Sequence, residues 1–306
     1  MIELLDVDIL HAEPKLAAGF YRKAARLHIQ LGWHYILDLI WIARRLGPAE
    51  GLNVLDAGAG LGVLQWWLAD RGATVVSVDR QDRSDLPGRM RLAHRVRGQR
   101  SGDLSSAWAA VRHRLAQADA PLPRRLALSL RAAAVALASP VARKGRGEVL
   151  FIRQDLTRPL DLPDDAVDAV VSVSALEHNA PDELPAVVDE LMRVLRPGGI
   201  LLATLAAARE CDWYHEPSRG WCYTEATLRR VFDLPAQAES SFARFDELFD
   251  RLRGSETLRR RLAPFHSLSG ECGMPWGVWN PVYLPVGVVK VKSSATGLRV
   301  QSAPAP

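Results

Sequence analysis

The feature that most constrains the fold is a glycine-rich turn between a short apolar strand and a helix. The segment Asn53–Ala57 is predicted to be a buried strand, and the turn Asp56-Ala57-Gly58-Ala59-Gly60-Leu61-Gly62 continues from it. A helical run from Val63 to Arg71 comes next, and the β-branched segment Ala73–Asp79 predicts a second strand. Strand, turn, helix and strand within about thirty residues form a βαβ unit. The unit predicts an α/β fold with parallel strands.

The strand and helix pattern continues later in the chain. Apolar segments at Val149–Ile152, Val167–Ser172 and Ile200–Leu205 predict further strands, and Tyr283–Lys292 alternates as a terminal strand does. Such alternation of strands and helices is typical of a mostly parallel sheet covered on both faces.

Four regions follow from this pattern. Residues 1–48 carry apolar residues at helical spacing and are predicted to form an N-terminal helical extension. The main α/β domain covers 49–292, and a helical insertion rich in Arg and Ala interrupts it at 84–147, after the second strand. The end, 293–306, is rich in Ser, Ala, Gly and Pro and is predicted to be a flexible tail.

Composition favours a globular cytoplasmic protein. The 306 residues are 48% hydrophobic and 24% charged, which is ordinary for a globular chain. Cys211, Cys222 and Cys272 form no CxxC pair, which favours a reducing compartment over a disulfide framework. The start lacks the pattern of a secretory signal, and the most apolar early stretch, 29–42, is shorter than the roughly 20 residues that a bilayer crossing needs. We expect a soluble protein.

The net charge of +4 conceals a strongly basic insertion. Residues 83–147 contain 14 Lys or Arg against 3 Asp or Glu. An amphipathic lid helix is the favoured interpretation; a phosphate-binding surface, or peripheral contact of 122–147 with an anionic membrane, is the alternative. Nucleic acid is disfavoured, because Trp108 is the insertion's single aromatic residue and interleaved stacking groups are absent.

The glycine turn and two carboxylates predict a nucleoside-binding site. A dinucleotide-binding turn would need a third glycine where Val63 stands, and no Gly-Lys-Ser/Thr follows that would make a phosphate loop. Asp79 ends the second strand, where a carboxylate can bind both hydroxyls of a ribose. Asp155 follows the third strand and can reach an adenine amino group, with the backbone of Leu156 near a ring nitrogen.

Together these pieces resemble the class I, Rossmann-like methyltransferases that use S-adenosylmethionine, in particular the small-molecule group with a Leu-Glu-His segment. The resemblance covers roughly Leu52 to Leu205 apart from the insertion. It implies a doubly wound sheet of seven strands, a glycine turn that holds the methionyl part of the cofactor, Asp79 at the ribose and Asp155 at the adenine. Arg80 departs from the family pattern, which often has an apolar residue there. The matching segments are 54–62, Asp79, 154–155, 162–168, 174–178 and 195–199, and the predicted cofactor residues are Asp56, Gly58, Ala59, Gly60, Gly62, Asp79, Arg80, Asp155, Leu156 and Ser174.

Two histidines are candidate general bases, assisted by one carboxyl group. Transfer to a hydroxyl benefits from a base, and a histidine near its usual pKa suits that task. His178, with Glu177, follows the fourth strand at the same sheet edge as the glycine turn, and His215 is the second candidate. The competing interpretation is that Glu177 and His178 only line the cofactor pocket or cap the next helix.

Aromatic residues after the fifth strand are predicted to contact the acceptor. Trp213, Tyr214, Trp221 and Tyr223 lie where acceptor pockets of this fold are built. No metal is expected, since Cys211, His215 and Cys222 lack a fourth ligand and the usual spacings.

The expected activity is methyl transfer from S-adenosylmethionine to a small or lipid-linked acceptor, on oxygen, such as a sugar or secondary metabolite. An RNA methyltransferase and a catalytically silent cofactor-binding scaffold are the alternatives.

Overall fold

A single mixed β-sheet organises the chain. The computed structural model describes residues 1–116, 121–139, 144–260, 274 and 278–293. Eight of the sheet's strands follow the order β1-β10-β7-β6-β2-β3-β5-β4, and a β8–β9 hairpin pairs with β7. The strands are β1 Ile2–Leu4, β2 Asn53–Ala57, β3 Thr74–Asp79, β4 Arg95–Gly98, β5 Glu148–Arg153, β6 Val167–Val173, β7 Leu195–Ala207, β8 Trp213–His215, β9 Gly220–Tyr223 and β10 Leu284–Val291.

Helices flank this sheet. In the described part of the chain α3 packs on β6, β7 and β10, α4 packs on β3 and β5, and α8 packs on β7. The helices are α1 Ile9–Ala12, α2 Pro14–Leu27, α3 Tyr35–Leu46, α4 Val63–Asp70, α5 Gly88–Ala93, α6 Ala107–Ala116, α7 Leu122–Ala138, α8 Leu184–Val194, α9 Glu225–Val231 and α10 Phe245–Arg253, with 3-10 turns at Leu176–His178 and Phe242–Arg244.

The predicted Rossmann-like, mostly parallel architecture is confirmed, but the expected count of seven strands is wrong, since the described residues form a sheet of ten strands. The pairs β2–β3, β2–β6, β3–β5, β4–β5, β6–β7 and β7–β9 are parallel. Strands β1, β4, β8 and β9 have three or four residues each. Such short strands carry too little alternation to stand out in a sequence.

Parallel pairing brings the candidate functional residues to one edge of the sheet. Asp56 pairs with Ser77, and Asp79 pairs with Arg153, so β2, β3 and β5 end side by side. Strand β6 pairs with β2 on the other side and ends at Val173. In open α/β sheets ligands bind at the carboxyl ends of the strands.

The basic insertion is not purely helical. It contains α5, α6 and α7, and β4 lies between α5 and α6 and pairs with β5 at the end of the sheet. The predicted flexible tail lies outside the described residues, apart from Ser293. No described helix is both long enough and apolar enough to cross a bilayer.

Candidate active site

A cavity of about 940 Å³ opens at the carboxyl edge of the sheet. The glycine turn, the ends of β3 and β6, and the loop after β5 form its floor. The connector between α2 and α3 and the start of α5 form its walls. The lining includes Asp56, Gly58, Ala59, Gly60, Gly62, Asp79, Arg80, Asp155, Leu156, Ser174 and His178, together with His28, Ile29, Gln30, Leu31, Tyr35, Leu39, Gln81, Pro87, Arg89, Met90 and Asn179.

Two glycines give the turn a shape that other residues could not keep. Gly58 has φ 73°, and a Cβ there would lie 2.4 Å from the Cβ of Ala175. Gly60 has φ 47°. Both values lie in the left-handed region that side chains disfavour. The turn thereby keeps its backbone open to the cavity, and α4 starts immediately behind it.

The carboxylates at the ends of β3 and β5 are held by backbone groups. Asp79 accepts hydrogen bonds from the N–H of Gly60 (2.7 Å) and the N–H of Gln81 (2.7 Å). One oxygen of Asp155 accepts from the N–H and the hydroxyl of Thr157, each at 3.0 Å. The backbone hydrogen bond from Thr157 is the main cause that lowers the pKa of Asp155. Asp155 is therefore ionised at neutral pH and keeps its other oxygen for a ligand.

Asp56 lies deeper than the other carboxylates. Its side chain is buried at the end of β2 and lines the cavity. Burial raises the pKa of Asp56 to about 7; the nearby Arg83 opposes the rise and Asp79 adds to it. Asp56 therefore changes charge near neutral pH and can respond to a bound cation.

Ser174 is a strained residue at the end of β6. It has φ 45°, which is unusual for a residue with a side chain. Its N–H donates to the carbonyl (3.0 Å) and hydroxyl (3.2 Å) oxygens of Thr204, and its hydroxyl donates to Asp38 at 3.3 Å. Such conformations persist where the surroundings over-determine them, often at binding sites. Asp38 thus links the N-terminal extension to the cavity wall.

His178 lines the cavity, and one of its two ring nitrogens, Nδ1, is hydrogen-bonded within the protein. Its Nδ1 lies 2.8 Å from the carbonyl oxygen of Arg219. Arg219 has φ 53° in the turn between β8 and β9. Since a carbonyl only accepts, Nδ1 carries the proton and Nε2 of the neutral ring is the acceptor.

Glu177 does not line the cavity, although it precedes His178. Its side chain is buried, and Oε2 has no hydrogen-bond partner among the described residues. Burial, and then the charge of Asp38, raise the pKa of Glu177 well above its usual value. Asp38 itself bonds His34 Nδ1 at 2.7 Å, and His34 Nε2 lies 3.3 Å from the hydroxyl of Tyr283. Glu177 therefore belongs to a buried ionisable cluster next to the cavity.

The second histidine and the predicted aromatic residues lie away from the cavity lining. His215 is buried; its Nδ1 lies 2.7 Å from the hydroxyl of Ser218, and burial lowers its pKa. Tyr223 is fully buried and donates to the carbonyl oxygen of Asn179 at 2.7 Å, so it supports a lining residue. Trp213, Tyr214 and Trp221 belong to the β8–β9 hairpin, where the rings of Tyr214 and Trp221 lie 5.5 Å apart.

Residues 109–203 match the family model of the methyltransferase domain. The chain carries a class I methyltransferase domain. The matched residues begin inside the basic insertion and end in β7. They include Asp155, Ser174 and His178 but not the glycine turn. The predicted family is thereby confirmed.

One known sequence and one solved structure show what this chain is similar to. A 48-residue stretch is 46% identical to ubiquinone biosynthesis O-methyltransferase from Leptothrix cholodnii, and it covers 16% of this chain and 20% of that protein. The solved structure of phosphoethanolamine N-methyltransferase 2 from Haemonchus contortus, with phosphomonomethylethanolamine and S-adenosylhomocysteine, aligns over 94% of this chain and 60% of that one. Its TM-score is 0.50 at 14% identity, so the likeness concerns the fold.

Two further side chains of the methyltransferase domain, Gln65 and Arg83, support the glycine turn, although the sequence pattern did not indicate this role. Gln65 Nε2 donates to the carbonyl oxygens of Gly60 (3.2 Å) and Gly62 (3.0 Å). Arg83 is buried and donates to the carbonyl oxygens of Gly60 (3.0 Å) and Ile152 (3.1 Å). Both side chains thereby stabilise the backbone of the glycine turn. A polar residue in the otherwise apolar helix 63–69 was the available signal for Gln65.

Proposed function

We propose that this protein transfers a methyl group from S-adenosylmethionine to an oxygen of a small or lipid-linked acceptor. The observation that carries the proposal is a single cavity lined by the glycine turn, Asp79, Asp155 and His178. These groups are far apart in the sequence and suit different parts of one reaction. The cysteine pattern favours a cytoplasmic site for it.

The cavity fits this cofactor part by part. The open backbone at Gly58 and Gly60 and the N-terminus of α4 suit the methionyl carboxylate. Asp56 suits the methionyl ammonium, Asp79 the ribose hydroxyls, and Asp155 with Leu156 the adenine. When bound, the cofactor supplies a methyl group on a sulfonium cation. The protein's task is then to align the two reactants and exclude water.

His178 is the proposed general base. Arg219 fixes the proton on Nδ1, which leaves the lone pair of Nε2 to take the proton of an acceptor hydroxyl. The imidazolium that results keeps its bond to the carbonyl of Arg219. Because His178 is exposed, it can pass the proton to water. Glu177 and His215 have no comparable place at the cavity, and we assign them supporting roles.

The acceptor is proposed to enter between the α2–α3 connector and α5. Ile29, Leu31 and Leu39 give this wall an apolar surface, and Arg89 stands opposite on α5. Arg89 Nε donates to the carbonyl oxygen of Leu27 at 2.5 Å, which joins the two walls. An apolar wall suits a lipid-linked or aromatic acceptor better than a bare sugar. The short stretch shared with an O-methyltransferase supports oxygen as the acceptor atom.

Two other functions make different predictions. An RNA methyltransferase would use the basic insertion and bind RNA with strong salt dependence. A silent scaffold would bind the cofactor without any requirement for His178. The geometry of His178 favours the enzyme over the scaffold.

Calorimetric titration with S-adenosylmethionine, S-adenosylhomocysteine and NAD tests the proposal. We expect micromolar binding of the first two and none of NAD, followed by methyl transfer when phenols, catechols and sugars are screened as acceptors. Failure to bind either sulfur compound contradicts the cofactor assignment. Binding without transfer to any acceptor, by wild type and His178→Ala alike, favours the scaffold.

A further inference from the structure

Helix α7 exposes a row of large apolar side chains. Leu122, Leu126, Leu130 and Leu137 are 63%, 48%, 71% and 67% exposed. At 3.6 residues per turn these four leucines lie within an arc of about 80° on one side of the helix. Single exposed leucines are ordinary, but a contiguous apolar stripe marks an interaction surface.

Other side chains of α7 face the rest of the protein. Ser129 and Ala136 are buried, and Val135 faces Gly88 of α5, where a Cβ would lie 2.7 Å from it. The hydroxyl of Ser139 donates to the carbonyl oxygen of Arg91 at 3.4 Å. The buried side of α7 therefore packs on α6 and α5, and the leucine stripe points away from the contact with α5.

The exposed part of α7 also carries positive charge. Arg124 and Arg131 lie on the exposed side of α7, roughly 100–120° around the helix from the near edge of the stripe. Arg112 is exposed on the neighbouring α6. Within the described ranges none of these three arginines forms an ion pair with a carboxylate. The insertion as a whole, 84–147, has 13 basic against 3 acidic residues. A helix that exposes an apolar stripe on one part of its surface and arginines on another is complementary to an anionic bilayer surface.

We propose that α7 docks on an anionic lipid bilayer, with the leucine stripe (Leu122, Leu126, Leu130, Leu137) in the acyl boundary and the arginines at the headgroups. The arginines within α7 keep the helix in the plane of the interface. Helix α5, on which α7 packs, supplies Arg89 and Met90 to the cavity wall, and Pro87 precedes it there. Docking therefore places that wall close to the bilayer. This inference does not depend on the methyltransferase activity, since it concerns binding alone.

Co-sedimentation of the full chain with vesicles tests the docking. We use phosphatidylcholine vesicles with and without 30% phosphatidylglycerol, at low and high salt. We expect binding to the anionic vesicles that weakens with salt, and little binding to phosphatidylcholine. Removing both Arg124 and Arg131 as Arg→Gln should weaken binding by about fivefold for each charge. The matched control Arg259→Gln/Arg260→Gln removes the same charge from another exposed place and should bind as wild type does.

The leucine stripe is tested separately. Leu126→Asp/Leu130→Asp should lower vesicle binding by about tenfold or more, whereas Val278→Asp, at another exposed apolar residue, should not. Circular dichroism confirms that each variant is folded. Equal binding of the leucine variant, or no binding of wild type to anionic vesicles, overturns the proposal. So does a wild-type dimer that the leucine variant dissociates without any vesicle binding, because the stripe is then an interface between two copies.

Discussion

The Nδ1 atom of His178 lies 2.8 Å from the carbonyl oxygen of Arg219. The bond joins the 3-10 turn that follows β6 to the turn of the β8–β9 hairpin. It selects one tautomer of the neutral ring, because a carbonyl cannot donate. In that tautomer the other ring nitrogen, Nε2, is the acceptor that transfer to a hydroxyl requires, and it belongs to a residue that lines the cavity.

We expect His178→Ala to lower turnover by about 10² to 10⁴-fold, the usual range for loss of a general base. Affinity for S-adenosylmethionine should stay nearly constant, since Asp79 and Asp155 are unchanged. Steady-state kinetics with an acceptor from the screen and calorimetry measure the two quantities. His215→Ala is the control and should retain more activity, as His215 lies outside the cavity lining. A His178→Ala variant as active as wild type would exclude the role of base.

Gly60→Val should weaken cofactor binding by tenfold or more. Gly60 has φ 47°, and left-handed backbone costs residues with a side chain about 1–2 kcal/mol, most for β-branched ones. The added side chain also projects from the turn that receives the methionyl part. Gly102→Val is the matched control, because a Cβ at Gly102 meets no atom within 4 Å. Calorimetry gives the affinities and circular dichroism checks the fold. Equal affinity of Gly60→Val and wild type would remove the basis of the cofactor assignment.

Cofactor affinity should depend on pH through Asp56. Burial raises the pKa of this carboxyl to about 7, so it is mostly protonated below that pH in the free protein. A methionyl ammonium favours the charged carboxylate, and binding must then expel a proton. Affinity should therefore fall as the pH drops from 7 to 5, by up to about tenfold per pH unit for one linked proton.

Calorimetry at pH 5, 6 and 7, in buffers of different ionisation enthalpy, measures the number of protons released on binding. Asp56→Asn should bind more weakly and without this pH dependence. Asp155→Asn is the control: the pKa of Asp155 is lowered, so this variant should bind more weakly but keep the wild-type slope. A wild-type affinity that is flat between pH 5 and 7 would contradict the link to Asp56.

The parts of the site that lie on strand ends could be predicted from the sequence. Parallel strands end at one edge, so the glycine turn, Asp79 and Asp155 were expected together, and the structure brings them to one cavity. His178 follows the same rule after β6. The roles of these residues stay predictions until they are tested.

The walls of the cavity could not be predicted, because tertiary packing decides them. His28 to Leu31 and Tyr35 belong to the N-terminal extension, whose sequence shows helices but not where they dock. The position of the β8–β9 hairpin and its aromatic residues could not be predicted for the same reason. Its position after the fifth strand suggested an acceptor pocket, yet β9 pairs with β7, and Tyr223 turns inward to bond the carbonyl of Asn179.

A stability measurement can show whether Glu177 acts in the fold or in catalysis. Burial first, and the nearby Asp38 second, raise its pKa well above the usual value. A carboxyl whose pKa is higher in the folded protein contributes stability that is complete below its unfolded pKa of about 4.5 and is lost as the pH rises through the folded value. Wild type should therefore lose stability on the alkaline side, where Glu177 would have to ionise in its buried place.

Glu177→Gln keeps the shape of the side chain without the charge, so its free energy of unfolding should fall less with rising pH. Urea unfolding between pH 5 and 9 measures the slope, and Glu183→Gln, at an exposed position, is the matched control and should follow wild type. If Glu177→Gln shows the wild-type slope, the buried carboxyl is not the group responsible. Retained turnover of Glu177→Gln at neutral pH would also show that the group acts in the fold and that His178 takes the proton without it.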